Sequence, residues 1–131
     1  MVDNLLLFLP LYITFVLVSD VAGVVAGAIV SFALQGAYMV RFLSSESGQT
    51  IGNRVVATQV RDALTGAAIT RSQALRRWAA ISAYAVLNVV LPPALEGIPV
   101  MLFLADCLFP LLDARKQTLH DKIAGTLVVR T

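Results

Sequence analysis

The sequence is poor in charge, and that scarcity excludes most of the soluble world at once. Only 14% of its residues are Asp, Glu, Lys or Arg, while 58% are hydrophobic. A soluble domain carries roughly 25% charged residues. With a mean hydropathy of +0.81, the chain has too few polar side chains to cover its apolar surface. It holds one cysteine, Cys107, so no internal disulfide can form and no redox compartment follows. It also holds one histidine, His120. No cluster of metal-ligand types and no nucleophile–base pair stands at a useful spacing. The segment 48–52 contains glycine but lacks the Lys-Ser/Thr ending of a phosphate loop. These absences predict no catalysis, no metal and no cofactor. No aromatic platform lies among the basic residues, so nucleic acid is not an expected partner.

Four apolar stretches remain, at about 4–18, 21–43, 78–91 and 98–112. A spanning helix needs ~20 residues, with a lower limit near ~17. The second stretch meets this outright. The others are short and need interfacial residues or local bilayer thinning. Residues 1–4 carry Asp3 and no Lys or Arg, unlike the basic start of a cleaved signal peptide. The first stretch therefore reads as a retained helix.

Basic residues fall in two places only. Arg41, Arg54, Arg61, Arg71, Arg76 and Arg77 flank or lie in the loop 44–77, and Arg115, Lys116, Lys122 and Arg130 lie in the tail 113–131. The tight connections at Ser19-Asp20 and 92–97 carry Asp20 and Glu96 instead. Cationic loops stay cytoplasmic. Four spans then put both termini and the middle loop in the cytoplasm of a cell (inner) membrane, and both acidic turns outside. The expected architecture is an all-α transmembrane four-helix bundle of two hairpins, in one domain.

The middle loop carries structure of its own. Segment 54–61 is rich in β-branched residues and reads as a strand, followed by a turn at 62–66. Thr70 or Ser72 is the expected N-cap of a helical segment lying on the membrane surface up to Arg77, with Leu75 and Trp78 dipping inward. Gly125 ends a short helix, and 126–130 reads as a second strand. Pairing of the two strands would form a small cytoplasmic β-element.

Several of these segments carry a family resemblance. They are Gly48-Gln49-Thr50-Ile51-Gly52-Asn53-Arg54, the turn near 62–66, Gln73-Ala74-Leu75-Arg76-Arg77-Trp78, and the tail from Arg115 through His120-Asp121 to Thr126. Together they resemble the RDD family, multi-span membrane proteins named for one arginine and two aspartates. The resemblance places the family's first-span aspartate at Asp3 and its arginine ahead of Met1. Asn53 stands where the family pattern usually has Lys. The resemblance implies no single activity: some members are linked to cation–proton exchange, and others look like partners of larger membrane assemblies.

Asp106 is the most telling side chain, because an ionisable group inside a span is costly and defaults to a functional hypothesis. It lies seven residues from Asp113, about 10 Å along a helix. Gln35 and Ser82 fall near that depth, so Asp106, Gln35 and Ser82 form a candidate ion or proton site. The plainer reading is a hydrogen-bonded tie between helices. Asp3, Arg76, Arg77, His120 and Asp121 gather at the cytoplasmic surface as a candidate latch or proton entry, or simply as a structural tie. Arg41, Arg71, Arg76, Arg115 and Lys116 are candidates for anionic lipid headgroups. Gly23, Gly27 and Ser31 form a small-residue face that packs closely on another helix, within the chain or beyond it. Asn88 adds a hydrogen-bonding group nearer the outer end of its span.

Two functions compete on this sequence. One is a non-catalytic accessory or structural subunit of a larger membrane complex or homo-oligomer. The other is a cation/proton transporter of the Na+/H+ type, working as an oligomer around Asp106. Size favours the first: four short spans leave little interior, and the internal repeats between which transporters build sites are absent.

Overall fold

The computed structural model describes residues 2–95 and 97–131. Glu96, expected in the second acidic turn, lies outside them. Helix α1 (Val2–Ala22) and helix α2 (Val24–Leu43) form one antiparallel hairpin. Helix α4 (Arg71–Val90) and helix α5 (Gly97–Leu108) form the second, joined by a short 3-10 turn at Pro93–Leu95. Between the hairpins lie a one-turn helix α3 (Ile51–Val55) and strand β1 (Thr58–Asp62). The tail holds helix α6 (Leu119–Ala124) and strand β2 (Thr126–Arg130). The segments Val24–Leu43 and Pro93–Leu111 are long and apolar enough to cross a bilayer, and Leu6–Ala22 is a shorter apolar run.

The turns follow local chemistry. The first connection is not Ser19-Asp20, which stays helical in the last turn of α1. The break comes at Gly23, whose φ of 88° suits glycine better than a side-chain-bearing residue. Thr70, rather than Ser72, caps α4: its hydroxyl accepts from the Gln73 amide, and the Gln73 side chain accepts from the Thr70 amide. That reciprocal box satisfies two amides that α-helix geometry leaves free. The segment 70–77 is therefore no separate surface helix, because it runs unbroken into the apolar part of α4. The fourth apolar stretch ends its α-helix at Leu108, and Pro110 sits in a 3-10 turn at Phe109–Leu111.

Strands β1 and β2 pair antiparallel, with Val60 opposite Val128, as the middle-loop and tail sequences predict. The first strand is shorter than expected. Arg54 and Val55 belong to α3 because Thr50 caps that turn by accepting from the Asn53 amide. Local capping thus overrides the strand preference of the Val55-Val56 pair. Ala57 leaves the turn with φ of 52°.

Burial runs opposite to that of a water-soluble protein. Among the described residues the buried hydrophobic side chains are Leu43, Val60, Ile69, Ala74 and Ala124, all in or beside the cap built by the sheet, α3 and α6. The buried polar set is Asp3, Thr50, Gln73, Ser82, Asp106, Gln117, Asp121 and Thr126. Helix faces expose Phe8, Val24, Met101 and Val89. Such surfaces suit hydrocarbon, where apolar side chains need no cover and backbone polar groups are satisfied within helices.

The small-residue face of α2 turns inward. A Cβ on Gly27 would stand 2.2 Å from Ser19 Oγ and 2.8 Å from the Phe15 carbonyl. Ser31 donates to the Leu11 carbonyl at 3.3 Å. Gly27 and Ser31 therefore close the α1–α2 hairpin, and Gly23 makes its turn. Gly36, one further turn along, receives the Trp78 indole of α4.

Candidate functional site: two carboxylate centres beneath the cap

The expected polar residues sort into two centres, grouped differently from their spacing in sequence. In the first, Asp106 of α5 is fully buried. Its Oδ1 accepts from the backbone amides of Leu119 at 2.6 Å and His120 at 3.2 Å, the opening amides of α6. Its Oδ2 lies 2.6 Å from His120 Nδ1. A carboxylate at a helix start satisfies amides that lack helical partners and faces the positive end of the dipole. Asp106 thus docks the tail to the fourth apolar helix. Gln35 and Ser82, its expected companions, make no hydrogen bond to it. They line a neighbouring cleft instead.

Arg77 of α4 joins the same centre from the other side. It forms an ion pair with Asp121 and donates to Thr126 Oγ1 at 2.9 Å. Asp121 also completes the cap of α6: its amide donates to Thr118 Oγ1, and its Oδ2 accepts from the Thr118 amide at 3.1 Å. Thr126 donates to Asp121 Oδ1 at 3.2 Å. Asp121 is 2% exposed and Arg77 is 11% exposed, so the pair is shielded from water and salt. Beside it, Lys122 pairs with Asp113 and lies over the Phe109 ring.

The second centre surrounds Asp3 and stands apart from the latch in which the sequence grouping placed it. Asp3 Oδ1 accepts from Tyr38 Oη at 2.9 Å and the Gly52 amide at 2.8 Å, and Oδ2 accepts from Thr50 Oγ1 at 2.6 Å. Gly52 is required by contact: a Cβ there would lie 2.6 Å from the Asp3 backbone nitrogen and Oδ2. Arg76, also expected in the latch, is exposed. Arg41, Arg71, Arg115 and Lys116 are exposed as well. Among the described residues no three His, Cys, Asp or Glu side chains converge to hold a metal ion.

The sequence model of the RDD family matches residues 1–125. The chain belongs to the RDD family. It is a membrane protein, consistent with its apolar helices. Comparison with curated proteins and with solved structures gives no match. In this RDD protein the two centres draw on the segments that carry the family resemblance. Thr50 and Gly52 come from the middle-loop motif, and Thr118, His120, Asp121 and Thr126 from the tail motif. Tyr38, Thr50, Gly52, Thr118 and Thr126 are site members that residue-type reasoning passes over. One signal could have found Thr118: a threonine three residues before an acid is a capping-box pattern.

His120 gives the latch a pH dependence. Burial pulls its imidazole below the usual 6.5, the Arg77 charge pulls it further, and the Asp106 carboxylate offsets part of both. The unfolded chain therefore takes up a proton at a higher pH than the folded one. Stability from neutral His120 is full above about pH 6.5 and is lost as pH falls toward the lower folded value. Thermal unfolding in detergent micelles should show Tm falling across that window, and His120→Gln should flatten this part of the profile. An unchanged slope in the variant would assign the dependence to other groups.

Proposed function

We propose that this RDD protein is a four-span, non-catalytic subunit of a larger membrane assembly or homo-oligomer, with its cap and both termini in the cytoplasm of the inner membrane. Helices α1 and α2 each extend about 30 Å at the helical rise, enough for the hydrocarbon core, while the part of α4 beyond Arg77 extends about 20 Å and crosses where the bilayer thins locally. Helix α5 completes its crossing with the flanking 3-10 turns, within the apolar stretch Pro93–Leu111. Every Lys and Arg falls at the cap end, and Asp20 falls at the other. That asymmetry supports a cytoplasmic cap.

One observation favours the subunit reading over the transporter reading. Both oxygens of Asp106 are engaged by the protein's own tail, and the residue is fully enclosed. A cation would have to undock α6 to reach it. The inward small-residue face leaves the outer faces of α2, α4 and α5 for a partner.

Two measurements on purified protein test this. Native mass analysis from mild detergent should give a defined stoichiometric complex, either of this chain with another membrane protein or of several copies. Liposomes holding this protein alone should show no proton-coupled cation flux. Flux that Asp106→Asn abolishes would replace the subunit reading with the transporter one.

A further inference from the structure

The two-stranded sheet has one closed edge and one open edge. In its ladder the Thr131 amide donates to the Ala57 carbonyl and the Ala63 amide to the Gly125 carbonyl, each at 3.0 Å. Antiparallel pairing alternates along a strand, so residues 125, 127, 129 and 131 turn their backbone groups toward β1. Thr126, Val128 and Arg130 turn theirs away. The far edge of β1 is covered: the Val60 amide donates to the Gly48 carbonyl, the Asp62 amide to the Ala67 carbonyl, and the Gln49 side chain to the Thr58 carbonyl. On β2 the Gln117 side chain covers the Thr126 carbonyl at 2.7 Å. Beyond that point no described residue hydrogen-bonds the outward N–H and C=O of Val128 or Arg130. Both residues are exposed. A free edge of this kind is a template for one more strand.

We infer that this edge receives an extended acidic segment of a partner protein, added antiparallel to β2. This rests on the subunit reading above and gives the partner a chemistry. Side chains two apart on a strand share a face, so Val128 and Arg130 each stand opposite a partner side chain about 5 Å away. The matching pattern is an acid opposite Arg130 and, two residues later, an apolar side chain opposite Val128. Charge selects this occupant over a second copy. Among the described residues of the cap the exposed cations include Arg54, Arg115, Lys116 and Arg130, whereas Glu46 is the one exposed acid. Glu46 lies two residues from Gly48, on the side of β1 away from β2. Asp62 sits at the other end of the ladder, opposite Thr126, and Asp113 pairs with Lys122. A second copy would bring the same uncompensated cations to the junction, and a charge on an edge strand is a device against such self-pairing. An acidic strand is attracted by those same cations.

The full chain in phosphatidylcholine nanodiscs is titrated with a capped peptide, Thr-Glu-Thr-Val-Thr-Glu-Thr, and with its counterpart carrying Lys for Glu. Amide hydrogen exchange is read by NMR. At saturation the Glu peptide should slow exchange at Val128 and Arg130 by about tenfold or more, with smaller changes at Leu127 and Val129, which already pair with β1. It should bind about fivefold more tightly than the Lys peptide, the scale of one cross-strand charge pair. Arg130→Glu should reverse that order. Val128→Pro should abolish binding of both, because it deletes an outward N–H, while the Leu127 and Val129 amides stay protected. No slowing at Val128 and Arg130, or equal binding of the two peptides, would overturn the acidic partner. So would slowing that survives Val128→Pro, since the peptide would then sit elsewhere. Slowing without peptide as copies per nanodisc increase would replace the partner with a second copy. The subunit reading stands or falls separately, on the stoichiometric complex.

Discussion

Arg77→Met should destabilise this protein by about 3–5 kcal/mol, the usual cost of leaving one member of a buried ion pair alone. Arg77 and Asp121 are both shielded, and the pair joins α4 to α6. Removing the guanidinium leaves Asp121 with its cap bonds from Thr118 and one bond from Thr126. These satisfy hydrogen-bonding capacity but not charge. Asp121→Asn strands the Arg77 guanidinium in turn and should cost a similar amount, although its amide oxygen can still accept in the cap. The double variant Arg77→Met/Asp121→Asn should lose clearly less than the sum of the singles, since neither charge is then stranded. Thermal or denaturant unfolding of the four proteins in one detergent completes the cycle. Additive losses would show that the two residues act separately and would remove the pair as the tie between α4 and the tail.

Asp106→Ala should release the tail. It strands two backbone amides of α6 and the His120 ring at once, and each unsatisfied buried donor costs about 1–3 kcal/mol. Hydration of the freed amides will recover part of this, so a net loss of about 2–5 kcal/mol is expected. The effect should be local. Trypsin should cut at Arg115, Lys116 and Lys122 many times faster than in the native protein, while Arg41 and the α1–α2 hairpin keep their native resistance. Asp106→Asn should stay close to native, because Oδ1 can still take the Leu119 and His120 amides. Native cleavage rates in Asp106→Ala would mean that the tail is held elsewhere.

The readable parts of this fold are those set by local chemistry or gross polarity. The four apolar stretches, the gathering of cations at one end, the Gly125 stop and the pairing of the two short strands all follow from such signals. Failures came where a local cap or a tertiary contact outranked composition. Val55 and Val56 favour a strand, yet Thr50 caps a helical turn through them. Ser19-Asp20 looks like a turn, yet one glycine at φ 88° makes the turn four residues later. Depth counting along single helices placed Asp106 with Gln35 and Ser82. It could not show that α6 would bring its amides and His120 to the same carboxylate, because that contact joins positions 13 and 14 residues apart through a folded tail. Their level in the membrane groups Asp3 with His120. Only the docking of α3 under α1, with Gly52 pressed against Asp3, assigns Asp3 to a different centre. The spacing of Gly23, Gly27 and Ser31 does not say which way that face turns; the contacts of Ser19 and Phe15 with Gly27 turn it inward.

Cysteine labelling in intact cells tests the central claim most directly. In a Cys107→Ser background, single cysteines are placed at Asp20 and Ala94 near one end of the helices, and at Ala68 and Arg115 in the cap. A membrane-impermeant maleimide should label positions 20 and 94 from outside. Positions 68 and 115 should react only after the membrane is opened. Labelling of positions 94 and 68 from the same side would contradict the four-span layout.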